Sequence, residues 1–293
     1  MSRLAHLRDA VAPLALVEDG KIAPLAERLG GIGTLDELLT AGPEARELLA
    51  ATTLADLPEA VAIEPGTLAA PLRAPSKIAC VGLNYHDHCR ETGMDPPAKP
   101  LIFAKFLSSL IGPDEAITWD PEVTQQVDWE AELAVVVGSR IHRASPAEAM
   151  AGVFGYTAAN DVSARDVQFS DVQWVRGKSL DTFCPVGPWV VTAEEFGDPG
   201  DKALQCRVDG ELKQDSNTAE MIFGTAEILS FLSHSFTLFP GDLVLTGTPW
   251  GCGGFREPPV FLAPGETVEV ELEGVGTLRN PVVAFDSTEG NGR

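Results

Sequence analysis

Residues 128–138 read Asp128-Trp129-Glu130-Ala131-Glu132-Leu133-Ala134-Val135-Val136-Val137-Gly138. A run of apolar and β-branched residues closing on a glycine reads as a buried β-strand. Its first half nevertheless carries Glu130 and Glu132. Side chains alternate faces along a strand, so both carboxylates leave the same side of the sheet. Glutamate is disfavoured in strands, and two like charges on a packed surface repel and lose solvation. A hard divalent cation would offset that cost. A further acid, Asp161, follows the strand-like segment from Val153 to Ala159, in Ala159-Asn160-Asp161-Val162-Ser163-Ala164-Arg165-Asp166. Glu130, Glu132 and Asp161 would form an all-oxygen site that suits Mg²⁺, Mn²⁺ or Ca²⁺ rather than zinc. For an isolated E-x-E, a solvated sheet edge is the commoner arrangement. The rest of the chain tips the balance.

A chain of 293 residues can bury one large domain and a small one. Its 44% apolar and 22% charged content is that of a globular protein, and its net charge of −22 argues against nucleic acid or an anionic membrane as partner. An acidic protein that handles small acids needs local cations instead. Cys80, Cys89, Cys184, Cys206 and Cys252 form no CxxC pair, which fits free thiols in a reducing compartment. The apolar run Val11–Val17 is broken by Pro13 and ended by Glu18-Asp19, so it is neither a secretory segment nor a membrane span. A cytoplasmic protein is expected.

Residues 1–72 read as a small α+β unit. Asp19-Gly20 marks a hairpin between Leu14–Val17 and Lys21-Ile22. Thr34 and Glu37 form a capping box that opens a helix running to about Ala50. Pro71 and Pro75 make a linker into residues 73–293, where strand signals dominate. There Ile78–Gly82 reads as a strand, Ser145-Pro146 opens a helix, Asp209-Gly210 turns a hairpin, Thr225–Ser235 is an amphipathic helix, and Leu243–Leu245 is a strand running into a Gly-rich turn.

Asn84 is a good helix N-cap and Gly93 a good helix stop. On the short helix between them His88 and Glu91, three apart, are neighbours. A carboxylate beside an imidazole orients it and raises its basicity. His86 points elsewhere. The following segment, Met94-Asp95-Pro96-Pro97, is poor in packing residues, so the helix is expected to act as a lid, mobile until ligand fills the metal site. Ser163 with Asp166 resembles another capping box and puts Arg165 and Gln168 on one face. Arg165 could pair with Asp161 or Asp166, or face a substrate carboxylate. Lys178 lies between Trp174 and an apolar run, a costly place for an unpaired charge.

Four segments accompany the acidic strand in order: VGLNYHDHCRE (81–91), NDVSARDVQ (160–168), WVRGKSLDTFCPVGPWVVT (174–192) and PGDLVLTGTPWGCG (240–253). Together they resemble the fumarylacetoacetate hydrolase family. The resemblance covers about residues 75–293 and is nearest to the short members, the domain-containing-2 proteins and the bacterial hydrolases of 2,4-dioxo sugar acids. It implies a mixed α/β, strand-rich fold, a β-sandwich roll following the small N-terminal domain. It implies metal ligation by Glu130, Glu132 and Asp161, and a catalytic dyad of His88 and Glu91. It implies substrate contacts from Arg165, Gln168 and Thr248, with Lys178 facing the reacting oxygen, and a homodimer. Longer members take an extra aspartate ligand; none stands near Phe106–Ser109, so three protein ligands are expected. Cys252 stands where close relatives usually have valine.

The expected reaction is metal-dependent hydrolysis of the C3–C4 bond of a 2,4-dioxo acid, giving pyruvate and a second acid. The alternatives on the same site are oxaloacetate tautomerisation or decarboxylation and dienoate isomerisation. A non-catalytic protein of the same fold ranks below both, because the three carboxylates, His88 and Lys178 are all present.

Overall fold

The strand Ala131–Val137 is buried along its whole length and sits at the centre of the molecule. Its side chains divide by parity. Leu133, Val135 and Val137 join one hydrophobic core, while Ala134 and Val136 join another on the opposite face. A strand covered on both sides has no polar face, which explains its near-continuous apolar run. In the computed structural model, which describes residues 2–57 and 60–287, it pairs antiparallel with Val153–Asn160 on one side and Leu243–Leu245 on the other. The end of the expected catalytic region, residues 288–293, lies outside the described residues.

Among the described residues this sheet has 12 strands. From the central pair it continues through Ile78–Gly82, parallel to Leu243–Leu245, to Leu101–Lys105. On the other side it continues through Cys184–Thr192 to Arg3–Leu7, Leu14–Glu18, Lys21–Pro24 and Val61–Ala62. The small N-terminal region therefore adds its strands to the main sheet, with Arg3 opposite Val191. Helices Leu35–Thr40 and Pro43–Ala50 pack Leu35, Leu38, Leu39 and Leu49 on one face. On the other face lie helix Thr225–Ser235 and a four-stranded sheet of Ala203–Val208, Glu211–Asn217, Thr267–Leu272 and Gly276–Pro281. The mixed α/β, strand-rich expectation holds. No helix of the described residues is long and apolar enough to cross a membrane.

Local readings hold where the signal is chemical. The hairpins at Asp19-Gly20 and Asp209-Gly210 form, and the Thr34–Glu37 and Ser145–Glu148 capping boxes close. Others need correction. The helix expected to run to Ala50 breaks at Gly42-Pro43, where proline starts a second helix. Asn84 is not the cap of the short helix His86–Thr92; Tyr85 is. Asn84 is instead buried. It donates to the carbonyls of Phe223 and Thr246 and accepts the Phe223 amide, tying three segments together. The Ser163–Asp166 box does not form either. Ser163 donates back to the Asp161 carbonyl, Ala164 precedes helix Arg165–Ser170, and Asp166 accepts from Thr124 and Gln125.

Candidate active site

Glu130 is not inside the central strand. Strand Val127–Asp128 pairs with Ser163-Ala164 in a separate two-stranded sheet, Trp129 and Glu130 lie in no strand, and the central strand starts at Ala131. The strand reading of 128–132 is corrected accordingly: Glu132 alone sits within the sheet. Two backbone-directed bonds place Glu130 beside Asp161: the Asp161 amide donates to the Glu130 carbonyl (2.9 Å), and Asn160 Oδ1 accepts the Glu130 amide (3.0 Å). Carboxylate oxygens of Glu130, Glu132 and Asp161 lie within 4.8 Å of one another, and all three side chains are buried.

Three cations surround them. Lys178 Nζ reaches Glu130 Oε2 at 2.8 Å and Asp161 Oδ2 at 2.9 Å. Lys105, at the end of strand Leu101–Lys105, pairs with Asp161 Oδ1. Arg165 pairs with Asp128 Oδ1 (Nε, 2.7 Å) and Glu130 Oε1 (Nη2, 2.7 Å), and donates to Gln168 Oε1 (2.9 Å). Arg165 thus pairs with neither Asp161 nor Asp166, and its shared face with Gln168 is as expected. Its guanidinium also stacks 5.0 Å from the Phe255 ring centroid.

These pairs set the charge states. Burial pushes Glu130 up, but Lys178 and Arg165 outweigh it and hold the carboxyl at about 2. Burial pulls the Lys178 ammonium down, yet Asp161 and Glu130 keep it above its ordinary value. Lys178 is therefore a fixed positive charge. Glu132 differs. It accepts the Gly247 amide (2.6 Å) but has no Lys or Arg partner among the described residues. Burial, then Asp161 and Glu130, pushes it well above the usual carboxylate range. A buried carboxyl facing two others and lacking a counter-ion, in an all-oxygen set, fits a hard divalent cation. Gly247 is required here. Its φ of +101° is left-handed, and a Cβ would stand 2.8 Å from Asn84 Cβ.

His88 Nδ1 lies 2.8 Å from Glu91 Oε2, and Glu91 Oε1 accepts the Gly251 amide at 2.8 Å. The His88 ring meets Phe255 edge-on at 5.2 Å. His86 is exposed. Thr248 is buried in the turn and accepts from Gln214 Nε2 at 2.9 Å. All nine residues named from the sequence are buried or nearly so, and they lie on segments that converge here.

Lys105, Asp128 and Gln214 escaped the sequence reading. A lysine closing the apolar strand LIFAK was an available signal for the first. Asp128 opens the acidic stretch but carries no local signal of its partner. It takes the Arg165 Nε and the Gly254 amide (2.7 Å), and burial raises it despite Arg165. Gln214 accepts the Ala131 amide (2.8 Å) while holding Thr248, a link across distant segments that no local pattern reveals.

The fumarylacetoacetate (FAA) hydrolase C-terminal family matches residues 77–283. A Bos taurus protein named as a mitochondrial oxaloacetate tautomerase is 50% identical over 219 residues, 74% of this chain and 69% of its own. A Homo sapiens protein also named as a mitochondrial oxaloacetate tautomerase is 47% identical over 219 residues, 74% of this chain and 69% of its own. The solved structure of fumarylacetoacetate hydrolase from psychrophilic Exiguobacterium antarcticum superposes with a TM-score of 0.87 at 36% identity, over 97% of this chain and 100% of that one. A 2-hydroxyhepta-2,4-diene-1,7-dioate isomerase from Mycobacterium marinum does so with a TM-score of 0.76 at 36% identity, over the whole of both chains. Sequence and fold agree: the chain belongs to the fumarylacetoacetate hydrolase family of enzymes.

Proposed function

We propose that this protein is an enol–keto tautomerase of a 2-oxo dicarboxylic acid, with oxaloacetate as its substrate class. This replaces the C3–C4 hydrolase placed first in the sequence reading. The observation that carries it is the 50% identity over 219 residues to a protein named oxaloacetate tautomerase. The geometry supports it. A dianionic substrate needs local cations in a chain of net charge −22; Lys178, Lys105 and Arg165 stand beside Glu130 and Asp161, and an ion held by the three carboxylates would add the positive charge that those ion pairs offset.

Glu130, Glu132 and Asp161 would hold Mg²⁺ or Mn²⁺, and Ca²⁺ also suits the donor set. The bound ion would supply Lewis-acid polarisation of the 2-oxo group. Arg165, with Gln168 fixing its fork, and Thr248 orient the carboxylates. Lys178 balances charge on the C2 oxygen. His88, oriented by Glu91, carries the proton: the enol oxygen gives one up and C3 takes one, with no carbon–carbon bond broken. Phe255 against His88 helps to keep water out.

A hydrolytic reading keeps one specific support, the 2.8 Å His88–Glu91 contact, which would equally orient a base that activates water. A panel of enol-oxaloacetate, acylpyruvates, fumarylpyruvate and 2,4-dioxo sugar acids, incubated with Mg²⁺ and followed by product NMR, separates the two. Proton redistribution without cleavage supports the tautomerase. Pyruvate released from a dioxo acid, with the oxaloacetate enol unaffected, rejects it.

A further inference from the structure

Cys252 sits in the turn after strand Leu243–Leu245, wholly buried, beside the two members of the dyad. One imidazole nitrogen of His88, one carboxylate oxygen of Glu91 and Cys252 Sγ lie within 4.8 Å of one another. We propose that these three side chains form a second metal site, selective for zinc-like ions, whose occupation blocks the proton-carrying dyad.

The donor chemistry differs from that of the neighbouring carboxylate triad. A thiolate, an imidazole and a carboxylate are a zinc set, whereas three carboxylates favour Mg²⁺ or Mn²⁺. Tetrahedral zinc with bonds of about 2.0–2.3 Å needs ligand atoms roughly 3.3–3.8 Å apart. A closing movement of about 1 Å is enough. The thiol makes only weak contacts, donating to the Pro249 carbonyl at 3.7 Å and accepting from Gln214 Nε2 at 3.8 Å, so little is lost when an ion takes it. Burial and the nearby Glu130 push the thiol well up, which keeps it neutral until an ion displaces its proton to solvent. Glu91, the least buried of the three, is the way in. Inhibition rests on the proposed role of His88 and Glu91; zinc binding does not.

The test uses the full chain saturated with Mg²⁺. Co²⁺ titration should produce a thiolate-to-metal absorption band, and Zn²⁺ competition against a chromophoric chelator should report a tight site. Cys252→Val, close in volume, should lose the band and weaken zinc binding by at least about 100-fold, since losing an outer-sphere partner alone costs roughly 10–100-fold. The same variant should keep Mg²⁺-dependent turnover and become resistant to zinc. Should Cys252→Val fail to fold, Cys252→Ser serves the same comparison. Equal zinc affinity in wild type and variant, or no thiolate band in wild type, overturns the site. A band that Cys252→Val removes, with zinc inhibition unchanged, overturns the block on the dyad and leaves the site standing.

Discussion

Glu91 places one carboxylate oxygen 2.8 Å from His88 Nδ1 and the other 2.8 Å from the Gly251 amide. The proposed base is thus fixed by its own helix and by the turn that carries Thr248. His88→Ala and Glu91→Ala should each slow turnover by roughly 10²–10⁴-fold, the usual worth of a positioned base. Oxalate binding with Mg²⁺ should survive in both, because the carboxylate triad stands on other segments. Steady-state kinetics with calorimetric titration of oxalate checks this; undiminished turnover in His88→Ala would remove the dyad from the reaction.

Glu132 should limit the stability of the metal-free protein. Burial, then Asp161 and Glu130, raises its carboxyl in the fold, so above the ordinary glutamate range the folded state holds its proton more tightly than the unfolded state does. Metal-free stability therefore falls as pH rises from the ordinary glutamate range toward the raised value. Glu132→Gln should remove that slope and raise the melting temperature of the EDTA-treated protein. It should also abolish the gain from Mg²⁺, which for wild type is ~2.7 kcal/mol at a ligand concentration of 100 Kd. Melting curves across pH, with Mg²⁺ and with EDTA, give both readings. A variant that melts lower than wild type in EDTA would contradict this.

How much of this was legible depends on the range of each signal. The carboxylates at 130, 132 and 161 stood out because charge inside an apolar strand needs a reason. His88 and Glu91 stood out because helical spacing makes them neighbours. Asn84 read as a cap because its type favours caps, but tertiary demand for a link among Phe223, Thr246 and its own segment won. The sequence offered Asp161 and Asp166 as Arg165 partners because both are near it along the chain, whereas the actual partner Asp128 is distant in sequence. The pairing of Val127–Asp128 with Ser163-Ala164 brings Asp128 to it, and Glu130 follows two residues on. Lys105 and Gln214 act across sheet pairings that single-sequence patterns do not encode.

The helix His86–Thr92 buries Asp87, His88 and Cys89, and Asp87 accepts from Ser216 and from the Trp250 amide. Residues Gly93 to Pro96 after it are exposed. Hydrogen exchange over residues 84–97 should slow when oxalate and Mg²⁺ are added, most after Gly93. Equal protection in both states would sink the lid.

Phe106, Leu107, Val123, Phe169 and Val172 are exposed large apolar side chains, and several line one open cleft. An exposed apolar cluster of this kind is the surface a second copy would cover. A homodimer is expected, and Phe169→Asp with Val172→Asp should weaken it. A monomer mass for wild type at micromolar concentration by light scattering would count against it.

The enol form of oxaloacetate, mixed with the Mg²⁺-loaded protein and followed by loss of its enol absorbance, gives the most direct measurement. Ketonisation should run well above the buffer rate, stop with EDTA, return with Mg²⁺ or Mn²⁺, and release no pyruvate beyond spontaneous decarboxylation. Ketonisation at the buffer rate, while the same preparation cleaves an acylpyruvate, would contradict the tautomerase assignment.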